Sequence, residues 1–231
     1  LETVSYSIRA TDCVGNSTDI ISGAFTINDP PAISQISPPE GGAVRSQSVK
    51  ISASIRDTQG IKPDSIRYEV SGIGEIPGIY NREKNTAEIQ IALGEGTKLI
   101  KLKAEDIYGY KAESVWSFIV DRTSPQIKSS SPAATFNYLP SLPSEITITP
   151  IDNESGIDPY SPKTALYLIK NGINFKLPLD EQSKMSGILN YKLQATSDPY
   201  FDVETGYVLR ADIYDRAGNG VSHNMTIVYD A

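Results

Sequence analysis

Acidic residues in this chain gather at loops, and several carboxylates converging from loops are what a hard divalent cation such as Ca²⁺ requires. Asp57 opens the segment Asp57-Thr-Gln-Gly-Ile61, while Asp152 and Glu154 lie in the related segment Asp152-Asn-Glu-Ser-Gly-Ile157. Asp106 and Asp215 begin two further turns, Asp106-Ile-Tyr-Gly-Tyr110 and Asp215-Arg-Ala-Gly-Asn219. Asp29 and Asp121 belong to Pro-containing breaker segments, Asn28-Asp-Pro-Pro31 and Asp121-Arg-Thr-Ser-Pro125. Asp29, Asp57, Asp106, Asp121, Asp152, Glu154 and Asp215 are therefore the candidate metal ligands, as interdomain calcium sites. A simpler account competes with this one. Asp at the head of a turn accepts hydrogen bonds from backbone N–H groups just downstream, so each acid is explicable alone. The Asp-x-Asp spacing of dedicated calcium loops is also missing. Convergence of the carboxylates separates the two readings.

Other chemistry has little to work with. One His and one Cys leave no ligand set for zinc. His223, at the start of the expected final strand, has no Gly-x-Ser-x-Gly nucleophile to serve. Paired carboxylates for glycoside hydrolysis stay open on sequence alone, but every acidic cluster falls on a turn. Cys13 lies in a turn and is expected to be an exposed thiol without a partner in the chain. No catalytic residue is expected and no enzyme; calcium is the one cofactor left open. Net charge is −7 with Lys and Arg scattered, which argues against nucleic acid as a partner. No apolar run reaches the roughly 18 residues that a membrane-spanning helix needs. The sequons at Asn16, Asn153 and Asn224 are about as many as composition predicts.

The elements that carry these loops read as strands. Tyr207, Leu209, Ala211 and Ile213 alternate and then meet the Asp215–Asn219 turn. Val4, Tyr6, Ile8 and Ala10 do the same before Asp12–Asn16, and Ile100, Leu102 and Ala104 before Asp106. Strict alternation marks a strand with one buried face. A phrase recurring about every 100 residues marks tandem copies of one domain. Short strands, turn signals every 8–12 residues and no helical period predict an antiparallel β-sandwich. Trp116 and Phe118 share a strand face and are expected in a core. Tyr80, Tyr108, Tyr110, Tyr160 and Tyr200 fall in or near loops, where a polysaccharide could stack on them.

Three marks carry a family resemblance: the Asp-x-x-Gly-Asn turn before the last strand, the linker Val120-Asp-Arg-Thr-Ser-Pro-Gln-Ile127, and the Asp-x-x-(Ser)-Gly-Ile loop after the second strand. Together they resemble the bacterial Ig-like repeat domains of exported and cell-surface proteins. The resemblance implies an all-β chain of tandem immunoglobulin-like antiparallel β-sandwiches in an extracellular or cell-surface setting. It also implies that the two loop types meet at one pole of each sandwich, facing the preceding linker. Asp57 and Asp106 would then lie near Asn28 and Asp29, and Asp152, Glu154 and Asp215 near Asp121.

The expected domains are 1–29, the C-terminal hairpin of a truncated Ig-like domain, then complete sandwiches at 30–121 and 122–231. The chain does not begin with Met, which fits a processed or excised piece. The expected function is a non-enzymatic structural spacer in a large extracellular or surface-attached protein, with an adhesive role left open and neighbouring Ig-like domains as partners. The alternatives are a polysaccharide- or protein-binding module, and a filament subunit assembled by strand exchange.

Overall fold

The computed structural model describes residues 2–133, 137–139, 143–170, 172–192 and 206–229, and these contain no α-helix. The expected strand through Leu193 and Ala195, the loop 197–206 up to its last residue, Tyr200 and Asn171 lie outside the described residues. By contact the chain divides into two compact units: Leu1–Glu40 with Lys50–Ile91 and Lys98–Ser117, and Gly41–Val49 with Ala92–Thr97 and Phe118–Ala231.

The first strands, β1 (Glu2–Ile8) and β2 (Ile21–Ile27), pair antiparallel as a sheet of two. Next come β3 (Ala32–Ser37), β4 (Gly42–Val44), β5 (Ser48–Arg56), β6 (Arg67–Val70), β7 (Gly74–Pro77), β8 (Ile79–Asn81), β9 (Thr86–Ala92), β10 (Gly96–Glu105) and β11 (Lys111–Val120). They form one sheet in the order β4-β11-β10-β6-β7 and another in the order β3-β5-β9-β8. Alternate positions are buried as the two-residue period requires: Val49, Ile51, Ala53 and Ile55 on β5, Ile100, Leu102 and Ala104 on β10, and Trp116, Phe118 and Val120 on β11.

The remaining strands repeat that plan: β12 (Gln126–Ser131), β13 (Asn137–Leu139), β14 (Glu145–Ile151), β15 (Ala165–Lys170), β16 (Ile173–Leu177), β17 (Leu189–Lys192), β18 (Gly206–Tyr214) and β19 (Gly220–Tyr229). Their sheets run β12-β14-β17 and β13-β19-β18-β15-β16. One apolar cluster fills the space between them, with Ile146, Ile148, Leu189 and Tyr191 from the first sheet and Leu166, Leu168, Tyr207, Leu209, Ala211, Ile213, Met225 and Ile227 from the second. The two stacked sheets make the immunoglobulin-like sandwich.

Three details differ from the sequence reading. The sandwich is not purely antiparallel, because β4 pairs parallel to β11 and β13 parallel to β19. Gly41-Gly42 reads as a turn from the sequence alone, but Gly42 belongs to β4. The last strand begins at Gly220, so His223 lies within it, opposite Ala211, and is half-buried with Nε2 3.4 Å from Ser130 Oγ. Strands of three residues are too short to show a period, and the polar start of β19 hid its boundary.

Candidate metal centre

One turn is built three times from the same bonds. The carboxylate Oδ1 of Asp12, Asp106 and Asp215 accepts the N–H four residues on, from Asn16, Tyr110 and Asn219, at 2.8 Å in each case. The Asp N–H in turn donates to the carbonyl of that same fourth residue. A Gly one place earlier closes the reversal with φ near +90° (Gly15 +92°, Gly109 +91°, Gly218 +88°), a region costly for any residue with a Cβ. The second loop type locks against this turn. Ile107 N–H donates to Gly60 O at 3.1 Å, and Arg216 N–H donates to Gly156 O at 3.0 Å. In the second of these pairs Asp152 lies beside Asp215.

Around Asp215 the result is a carboxylate cluster. Ligand oxygens of Asp121, Asp152 and Asp215 all lie within 4.8 Å of one another. Asp121 and Asp215 are buried and Asp152 is half-buried. Hydrogen bonds aim them. Asp121 accepts from Thr123 N–H (2.9 Å) and Ser155 N–H (3.1 Å), and Asp152 from Gly156 N–H (2.6 Å) and Glu154 N–H (3.2 Å). Asn219 Nδ2 bridges Asp215 Oδ2 (2.8 Å) and the Asp121 carbonyl (2.9 Å). None of the three carboxylates takes part in an ion pair among the described residues. Burial pushes the Asp215 carboxyl above its ordinary range, and Asp121 pushes the same way, against the hydrogen bonds from Asn219. Ser155 borders the cluster through its backbone. It is 5% exposed, its N–H is already on Asp121, and its buried Oγ has no hydrogen-bond partner. Oxygen ligands alone, with neither His nor Cys, suit Ca²⁺ rather than a transition metal.

Asp106 occupies the equivalent turn but is resolved differently. Asn28 follows Ile27 as Asp121 follows Val120, and Asn28 Nδ2 donates directly to Asp106 Oδ2. Burial would raise the Asp106 carboxyl, but the Asn28 amide and the N–H groups of Tyr110 and Tyr108 outweigh it and hold the group below its ordinary value. Asp57 spends Oδ1 on the N–H groups of Gln59 and Gly60, and Asp29 is exposed. Asp29, Asp57 and Asp106 form no group of three metal-ligating side chains among the described residues. Glu154 is exposed and reaches the cluster only through its backbone N–H.

Ser155 and the bridging Asn219 were missed as participants by sequence reasoning. Superposing the segments after Ile27 and Val120 would have exposed the Asn28-for-Asp121 exchange. Trp116 is buried, as its alternation predicts, and Cys13 is exposed. Tyr108, Tyr110 and Tyr160 are exposed. Two clefts flank Tyr160, and neither is lined by His223 or Cys13.

No family model matches the sequence, and no curated protein matches it. Among solved structures the chain is similar to the fibronectin(III)-like modules of Clostridium thermocellum CbhA, at 17% identity over 86% of this chain and 94% of that one, with a TM-score of 0.47. It is also similar to a Ca²⁺-stabilized adhesin that helps an Antarctic bacterium reach out and bind ice (13% identity, 99% of this chain, 57% of that chain, TM-score 0.40). A tetra-tandem repeat from the extending region of a large adhesion protein gives 15% identity, the same two coverages and a TM-score of 0.36. By its own strand order and core, this chain is all-β with an immunoglobulin-like fold, resembling Ig-like and fibronectin-III-like modules and bacterial adhesin repeats.

Proposed function

We propose that this chain is a non-enzymatic spacer of tandem Ig-like modules, bounded at 1–29, 30–121 and 122–231, in a large exported or surface-attached protein. In this reading Asp121, Asp152 and Asp215 hold one Ca²⁺, which pins the β11–β12 connection to the loops after β14 and β18. The supporting observation is the meeting of three carboxylates, two of them buried, with no basic partner among the described residues. Like charges so close in a poorly hydrated site repel strongly, and either a proton or a cation must relieve them. Ser155 Oγ and backbone carbonyls supply the neutral oxygens that a six- to eight-coordinate cation needs besides carboxylates.

Isothermal titration of the chelator-treated chain with Ca²⁺ tests this. One strong site per chain is expected, together with a higher melting temperature in calcium than in chelator. No binding heat and coincident melts would remove the cation from the account.

A further inference from the structure

The β1–β2 hairpin has two chemically distinct faces. Register pairs Val4 with Phe25, Tyr6 with Gly23, and Ile8 with Ile21 on one face, while Thr3, Ser5 and Ser7 meet Thr26, Ala24 and Ser22 on the other. The apolar face is uncovered: Tyr6 is 46% exposed, Ile8 59%, Ile21 67% and Phe25 53%. Its counterparts later in the chain are core. Counting back from the turn Asp, Tyr6, Ile8 and Ala10 match Ile100, Leu102 and Ala104, and also Leu209, Ala211 and Ile213, all of which are buried. Counting back from Asn28 and Asp121, Ile27, Phe25 and Gly23 match Val120, Phe118 and Trp116. The edges also differ. β18 carries β15 antiparallel and β19 carries β13 parallel, as β10 carries β6 and β11 carries β4, whereas β1 and β2 have only each other among the described residues.

We propose that this hairpin is the closing pair of a further Ig-like sandwich, and that its apolar face and both its edges take the remaining strands of that sandwich. Those strands are carried by the same polypeptide on the amino-terminal side of residue 1. The occupant must add an antiparallel strand to β1, a short parallel strand to β2, and a facing sheet with alternating apolar residues, as Ile146, Ile148, Leu189 and Tyr191 face β18 and β19. A second copy of this chain is a poor fit. Two seven-residue strands present a face of about 23 Å by 10 Å, so two such faces together bury roughly 500 Å², well below the roughly 1,200 Å² of a stable interface. A bare two-stranded hairpin is marginal in water, so the covering strands are what hold it folded.

Hydrogen exchange on the full-length parent protein and on the 231-residue chain tests this. In the parent, amides of β1 and β2 are expected to exchange at least about a hundredfold more slowly than in the 231-residue chain, approaching β18 and β19. Equal, rapid exchange in both would overturn the proposal. Sedimentation of the 231-residue chain is the second arm. A monomer agrees with the proposal, whereas a dimer dispersed by Phe25→Asp assigns the face to a second copy and overturns it.

Discussion

The exchange of Asn28 for Asp121 is one difference that separates the two acidic poles. Where Asn28 offers an amide, its hydrogen bond helps to hold the Asp106 carboxyl low against burial; where Asp121 offers a second carboxylate, burial raises the Asp215 carboxyl and Asp121 adds to the rise. The signs set opposite pH responses. Asp106 contributes stability above its ordinary pKa, which is lost as acid brings the pH through its lowered value. Asp215 carries a penalty above its raised value, relieved as pH falls through it. In chelator, acidification from neutral pH therefore lifts the Asp215 penalty, and the melting difference between calcium and chelator should narrow. Swapping the pair tests the exchange itself. Asp121→Asn should weaken Ca²⁺ binding at least about tenfold by removing one of three carboxylate ligands. Asn28→Asp should lower the melting temperature in chelator, with calcium restoring part of the loss. An unchanged calcium titration for Asp121→Asn would place the ion elsewhere.

Among the elements, the penultimate strand carries most of the fold's logic. β18 hydrogen-bonds β15 on one edge and β19 on the other, and sends Tyr207, Leu209, Ala211 and Ile213 into the core. Leu209→Ala should cost about 2–5 kcal/mol, as cavity-forming substitutions at fully buried leucines do. Urea denaturation followed by tryptophan-independent circular dichroism reads this, since Trp116 lies in β11. A cost below about 1 kcal/mol would mean that the site collapses around the lost methyls. This strand was readable from alternation alone, as were β5, β10 and β11. β4 and β13 were not, because three residues pairing parallel to a distant strand leave no local period. The cluster was half readable for a related reason. Repetition of the turns told which loops meet, but convergence depends on backbone bonds such as Arg216 N–H to Gly156 O, which bring in Asp152 and leave Glu154 outside.

For the whole molecule, the proposed cation site belongs to one sandwich and has no three-carboxylate counterpart among the described residues of the other. Differential scanning calorimetry should show chelator lowering the transition of the sandwich formed by β12–β19 while leaving that of β3–β11 in place, because the Asn28–Asp106 pair needs no ion. Equal shifts in both transitions would mean that calcium acts through general charge screening of a chain carrying −7.

The parallel pairs β4–β11 and β13–β19 have a mechanical consequence. In each, the strand nearer the amino terminus lies alongside the strand nearer the carboxyl terminus, running the same way. Tension applied through the chain ends therefore drags these neighbours past each other lengthwise. The cross-strand hydrogen bonds must then rupture together in shear instead of opening one at a time like a zipper. Under such tension, resistance to opening would come from these two three-residue strands.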